Sequence, residues 1–235
     1  MIHIVLQKEV PVIIVMTAVL CILAVIVGKK IVKTDPEEKP KGIVMMACWL
    51  VEIIDKNVEG NTNSHYVKNL APYIGTIAIY LLVANLSGLF GIFTPTQNYS
   101  VVLAIALITW VTIQVVSIKE NGIKSYLHSF IEPFVPFIIP NFFGCIAPLI
   151  SMSMRLFGNI LSGSIIMSLV YSFTKIVSDG ILGLFNLNIG WLNFVGPILA
   201  PALHAYFDVF AGFIQMFIFF TLTMVFIGNE IPNDD

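Results

Sequence analysis

Eleven of the twelve basic residues in this chain are lysines in or near polar stretches, and the twelfth, Arg155, stands in the middle of a long apolar run. A guanidinium stays protonated where a buried lysine can shed its charge. Placing it at the centre of a membrane helix costs about 2.5–3.5 kcal/mol on insertion scales. A permanent cation at that depth implies a function or a structural ion pair. Ser151, Arg155, Asn159 and Ser162 fall at i, i+4, i+8 and i+11, one polar stripe on a helix. His204, Asp208, Gly212 and Gln215 repeat the same intervals in the last apolar run. A single stripe fits an ordinary helix-packing seam of small and hydrogen-bonding residues. Two such stripes on consecutive spans are expected to face each other as walls of one polar path.

Their register follows from the connection between them. The connection from Ser178 to Asn193 centres near residue 185. Antiparallel spans reflected about that point put Arg155 level with Gln215, Asp208 level with Ser162, and His204 level with residue 166. Asp208 then lies about 10 Å along the helix from Gln215, on the outer side. The outer half of the hairpin offers a carboxylate, a histidine and hydroxyls, and the centre offers a fixed cation beside an amide. Desolvation and the arginine charge act in opposite directions on such a carboxylate. It suits a group that loads and releases protons in a water-filled cavity. The alternative is that Asp208 simply neutralises Arg155.

These stripes need spans to carry them. The sequence is 57% hydrophobic and 11% charged, with mean hydropathy +0.92, whereas soluble domains carry about 25% charged residues. This is the composition of an all-α polytopic membrane protein. About 20 apolar residues cross the hydrocarbon, and five segments qualify: 10–28, 72–92, 99–118, 143–172 and 196–228. The last two exceed the need and are expected to tilt or to project beyond the bilayer. Residues 29–71 form a linker. Within it, 43–58 reads as an amphipathic surface helix, with Met45, Trp49 and Ile53 apolar against Glu52, Asp55 and Lys56. Residues 133–140 are apolar but hold three prolines, too short to cross, and lead into the fourth span. The whole of 1–235 reads as a single membrane domain. The first run lacks a basic leader and a clear cleavage site, so it is expected to be retained. Nine lysines fall in the stretches 29–71 and 119–142, and two, Lys8 and Lys175, fall on the other side. This asymmetry places the N-terminus outside and the C-terminus in the cytoplasm. Cys21, Cys48 and Cys145 show no paired or metal-ligand spacing and read as packing residues. No cofactor is expected, and no basic patch points to nucleic acid.

The segment 151–159, Ser-Met-Ser-Met-Arg-Leu-Phe-Gly-Asn, resembles the SxxxRLFGN signature of F-type ATP synthase subunit a, the membrane ion-channel subunit. GFIQMFIFFTLT, which contains Gln215, is similar to that family's final helix. Asn85-Leu86-Ser87-Gly88-Leu89 followed by Thr94-Pro95-Thr96 is similar to the family's second-span ending. The resemblance covers about residues 65–230. It implies a long tilted C-terminal hairpin packed against a rotating ring of c subunits, each bearing a membrane carboxylate. Two offset half-channels would connect the ring to opposite sides of the membrane, which the short chain and its outside N-terminus suggest is a bacterial plasma membrane. Arg155 matches the family's essential arginine, Gln215 the glutamine facing it, Asn159 the asparagine four residues on, and Asn85 a polar position of the outer half-channel. Two positions depart from the best-known pattern: Ser164 replaces a glutamate nine residues after the arginine, and Asp208 replaces a histidine seven residues before the glutamine. The outer acid is therefore expected to have moved across the hairpin to Asp208, with Ser164, His204 and Ser151 as polar companions. Further implied partners are peripheral-stalk b subunits, the rest of the complex and the lipid bilayer.

Two other classes compete. A secondary transporter would hold an anion on Arg155, but no internal repeat or pair of broken helices is visible. An intramembrane hydrolase would use Ser162 or Ser164 with His204 as base, which leaves Arg155 unexplained. The coupling ion, proton or sodium, stays open at this level. The chain has no GxxxxGK[ST] loop, so ATP chemistry must come from other subunits.

Overall fold

The computed structural model describes residues 9–33, 41–62, 64–92, 94–184, 193 and 195–231. Among the described residues seven α-helices follow one another: α1 (Glu9–Val32), α2 (Ile43–Asn61), α3 (Ser64–Leu86), α4 (Tyr99–Ser129), α5 (Ile138–Leu184), α6 (Gly196–His204) and α7 (Ala211–Glu230). No strand occurs among the described residues. Five helical stretches among the described residues are long and apolar enough to cross a membrane, α6 and α7 together making the last. The protein is all-α and polytopic, because an apolar medium tolerates only backbone that satisfies its own hydrogen bonds. Lys8, residues 34–40 of the linker, the middle of the α5–α6 connection and the Asn233-Asp234-Asp235 tail lie outside the described residues.

Several helices run further than hydropathy indicates. α3 begins at Ser64, not 72, and carries Pro72 within it, where Thr76 Oγ1 donates to the Pro72 carbonyl at 2.7 Å. α4 continues to Ser129, but Gly122 has φ 76° and ψ 152°, so two helices meet there. That left-handed φ costs glycine least. Val135–Phe137 forms a 3-10 turn, and Ile138–Pro140 already belong to α5. α5 is 47 residues long, about 70 Å at 1.5 Å per residue, more than twice the hydrocarbon thickness. Pro148 interrupts its hydrogen-bond ladder without ending it. Nearby, Trp110 Nε1 of α4 donates to the Cys145 carbonyl at 2.7 Å, bracing α5 there.

The core lies among α3, α4, α5 and α7, with Leu81, Val102, Ala106, Met152, Leu156, Met224 and Ile227 fully or nearly fully enclosed. Lipid is as apolar as leucine, so close packing and interhelical hydrogen bonds hold such a bundle together. α1 packs lightly against α2 and α3, with Met16 buried and most of its side chains, including Cys21, exposed. α2 packs through Val44, Ile54 and Val58, while Met45 and Trp49 are exposed. Its expected apolar face is therefore turned away from the protein, toward the interfacial lipid. Cys48 shares that exposure, so Cys21 and Cys48 are not packed within the chain. On the solvated side Glu52 pairs with Lys56 at 2.7 Å. This bond holds the Glu52 carboxyl below its usual range and the Lys56 ammonium above its own.

Candidate functional site

α5 presents two unlike faces around Arg155. Met152, Ser153 and Leu156 point into the core, while Met154, Arg155 and Gly158 are exposed. Packing on one face thus fixes the guanidinium on the other. Among the described residues the ion pairs are Glu52–Lys56, His128–Glu132 and His204–Asp208, and Arg155 makes neither an ion pair nor a hydrogen bond. Asp208 does not neutralise it. Arg155 lies in an open groove with Asn159 and Ser162 of α5, Tyr206 and Phe210 of the next segment, and Gln215 of α7. Gln215 is only 4% exposed, and its amide has no hydrogen bond among the described residues.

The hairpin register follows the reflection about residue 185. Asn159 Nδ2 donates to the Ala211 carbonyl at 3.4 Å, the two residues lying 26 positions to either side of that centre. A Cβ on Gly163 would meet Phe207 at 3.4 Å, another pair placed symmetrically about it. Asn159 also lines a cavity of about 260 Å³ beyond Arg155. That cavity gathers Asn85, Asn159, Ser164, His204 and Asp208 together with Thr94, Gln97 and Gly212. Seven candidate residues thus meet in two adjoining spaces: Asn85, Ser164, His204 and Asp208 in the cavity, Arg155 and Gln215 in the groove, and Asn159 at the junction. Ser151, although on the same stripe, lines neither space.

Asn85 ties the cavity wall together. Its Nδ2 donates to the Gly212 carbonyl at 3.2 Å, and its Oδ1 accepts from Thr96 Oγ1 at 3.2 Å. A Cβ on Gly212 would fall 3.1 Å from Asn85 Cβ, so glycine lets α7 approach α3 this closely. Asp208 sits in a π-helical segment, Ala205–Phe210, between α6 and α7. Such segments re-aim side chains and are frequent at functional sites. Asp208 Oδ2 lies 2.6 Å from His204 Nδ1. Ser162 Oγ and Ser164 Oγ donate instead to the Asn159 and Leu161 carbonyls. Neither serine is paired with His204, so a hydrolase nucleophile is not assembled.

A second cavity, of about 360 Å³, lies at the end of the bundle carrying Lys119 and Lys124. Gln114, Ser117 and Tyr126 of α4, Asn141 and Cys145 of α5, and Glu230 of α7 line it. Tyr126 Oη donates to Gln114 Oε1 at 2.6 Å, Cys145 Sγ donates to the same oxygen at 3.4 Å, and Ser117 Oγ donates to Glu230. Asn121 Nδ2 caps the Glu230 carbonyl at 3.0 Å. Along α5 this cavity ends at Pro148 and the first begins at Asn159. Arg155 stands between them. The sequence reading did not single out this group, since it comes from three helices distant in sequence.

The comparison with known families decides the identity. The family model described as ATP synthase A chain matches residues 10–228. The chain belongs to that family. It is similar to "ATP synthase subunit a" of Mycoplasmoides gallisepticum, 28% identical over 224 residues, covering 90% of this chain and 74% of that protein. It is 34% identical over 186 residues to "ATP synthase subunit a 2" of a Bradyrhizobium species, covering 77% and 74%. "ATP synthase subunit a, sodium ion specific" of Propionigenium modestum is 30% identical over 190 residues, covering 73% and 58%. As a member of the ATP synthase A chain family, the chain is an integral membrane subunit of an ATP synthase complex, and membership implies ion translocation.

Proposed function

We propose that the two cavities are entry and exit paths for an ion, and that Arg155 separates them at the surface of a c-ring. The carrying observation is the position of Arg155. It is exposed at mid-helix, without a carboxylate partner among the described residues, and flanked by a polar cavity on each side. A lone cation in an apolar medium is costly, and a carboxylate on a neighbouring subunit would offset that cost. Such a carboxylate, arriving protonated, loses its ion as the guanidinium favours the charged form. Leaving, it reloads from the opposite cavity. Gln215, buried beside the groove, offers an amide to either partner. Moving one charge through the membrane potential is worth about 2.3 kcal/mol per 100 mV, so several ions drive one synthesis only if none leaks past Arg155.

In this reading Asp208, Asn85, Asn159, Ser164 and His204 serve the outer path, and Ser151 has no direct part. Gln114, Tyr126, Asn141 and Glu230 serve the inner path. The lysine asymmetry puts the N-terminus outside and the C-terminus in the cytoplasm of a bacterial plasma membrane. The exposed faces of α1 and α2 suit peripheral-stalk b subunits as partners. Passive ion permeability of vesicles holding the membrane sector tests the separation. Arg155→Ala should raise the leak while Arg155→Lys raises it less. An unchanged leak in both would remove Arg155 from its separating role.

A further inference from the structure

α6, the helix that ends at His204, is held at both ends by one face of α5. Pro201 removes a ladder bond within α6, and the π segment below it departs from α geometry, so α7 alone does not fix where α6 lies. Its N-cap, Val195, makes no side-chain cap hydrogen bond. Asn193 supplies one from two residues earlier. Asn193 Oδ1 accepts from the Gly196 backbone N–H at 2.9 Å and from Ser178 Oγ at 3.1 Å. Asn193 Nδ2 donates to Thr174 Oγ1 at 3.2 Å and, more weakly, to the Tyr171 carbonyl at 3.5 Å. Ser178 Oγ also accepts from the Val195 N–H at 3.3 Å. At the other end of α6, Tyr171 Oη lies 3.2 Å from His204 Nε2. Tyr171, Thr174 and Ser178 fall at i, i+3 and i+7, one face of α5. The cluster at the start of α6 is enclosed: Thr174, Ser178 and Gly196 are all buried, and buried polar groups need partners. A Cβ on Gly196 would lie 2.6 Å from Asn193 Nδ2, so glycine lets the amide sit against the first turn of α6. Asn193, Thr174 and Ser178 line neither the first cavity nor the groove.

We infer that Asn193 is a positioning residue for ion entry: it clamps the start of α6 to Thr174 and Ser178 of α5, and so sets where His204 and Asp208 stand in the first cavity. The inference rests on the outer-path reading of that cavity. Asn193 is uncharged and lies off the path, so it acts on the ion only through α6. Without its amide, the Ser178 hydroxyl and the Gly196 N–H lose their acceptor in a buried place. α6 then separates from α5 until water reaches those groups. The Asp208 carboxylate is still present but stands less often where the cavity needs it. Ions from the outer side load less readily, while the inner cavity, built from α4, the first turns of α5 and the end of α7, is untouched. The defect is therefore one-sided.

The test uses the whole ATP synthase complex in inverted vesicles, whose lumen corresponds to the outer side. ATP synthesis is driven by a lumenal proton load at fixed external pH, with a sodium load run in parallel. Asn193→Leu keeps much of the volume and removes the hydrogen bonds. It should raise the half-saturating lumenal ion concentration about tenfold, the scale of one buried polar group left unsatisfied, with the maximal rate and the dependence on external ion unchanged. Ser178→Ala should move it the same way by about threefold, and carries the test if Asn193→Leu does not assemble. Asn193→Asp keeps the Oδ1 acceptor and should recover most of the shift. Gly196→Ala should shift the half-saturation as well, because its Cβ displaces the amide, and adding it to Asn193→Ala should cost nothing further. A lower maximal rate with an unmoved half-saturation would overturn the clamp and leave Asn193 a folding residue. Wild-type behaviour in Asn193→Leu and Ser178→Ala, with Asp208→Asn inactive, would also overturn it while the outer-path reading stands. Wild-type dependence on the lumenal ion in Asp208→Asn would instead remove the reading on which the clamp rests.

Discussion

Asn85 offers a perturbation whose cost can be worked from its surroundings. Its side chain, on a residue 6% exposed, gives one hydrogen bond to the Gly212 carbonyl and takes one from Thr96. Asn85→Ala removes both. Gly212 lines the cavity, so water can replace the lost donor at its carbonyl. Thr96 is fully buried and does not line the cavity, so its hydroxyl is left unsatisfied. One orphaned buried polar group costs about 1–3 kcal/mol, and the variant should lose that much. Asn85→Asp keeps the acceptor for Thr96 but sets a carboxylate against the Gly212 carbonyl, and should lose at least as much. Thermal unfolding of the purified complex in detergent, followed by release of this subunit, reads the loss as a lower midpoint. ATP-driven pumping should fall in parallel, because α3 no longer fixes α7 at the cavity. Unchanged midpoints in both variants would refute the claim that Asn85 ties these helices together.

Three further outcomes follow from the same geometry. Asp208→Asn should abolish pumping without loss of assembly, and adding Ser164→Glu should restore part of it, since both positions line one cavity; acidification assays on the single and double variants decide this. Gln114→Leu and Glu230→Gln should slow pumping, and Gln114→Leu should raise thiol labelling of Cys145 by removing the hydrogen bond that holds its thiol; unaltered pumping in both would remove this cavity from the inner path. The Glu52–Lys56 pair is fully exposed, so Lys56→Ala should leave the unfolding midpoint unchanged within error. The lowered Glu52 pKa means any contribution is present above the unfolded carboxyl range and lost as pH falls through the folded value. The raised Lys56 pKa means it is lost again as pH rises through that group's folded value. A midpoint difference confined to the window between them would show that the pair contributes after all.

What could be read before the structure was local and periodic. Arg155 stood out because its charge conflicts with the hydropathy around it. The pairing of Asn159 with Ala211 followed from antiparallel spans and one turn centre. What escaped was non-local or unmarked. The π segment at Ala205–Phe210 has no proline or glycine to announce it. Tyr171 reads as an ordinary aromatic until the fold sets its hydroxyl 3.2 Å from His204 Nε2. The second cavity draws Gln114, Asn141 and Glu230 from three helices, and no spacing rule links them. Prolines misled in the other direction. Pro72 suggests a helix start and the prolines of 133–140 a break, yet α3 runs through Pro72, and α5 begins at Ile138 with Pro140 in its first turn, where no intrahelical donor is lost.

The central claim is that Arg155 stands as the charge barrier between two ion paths. ATP-driven ion pumping by inverted vesicles carrying Arg155→Ala, at wild-type levels of assembled complex, tests it most directly. The account predicts that pumping vanishes for protons, and for sodium tested in parallel, while the complex remains intact. Pumping at the wild-type rate would contradict it and make Arg155 a structural residue.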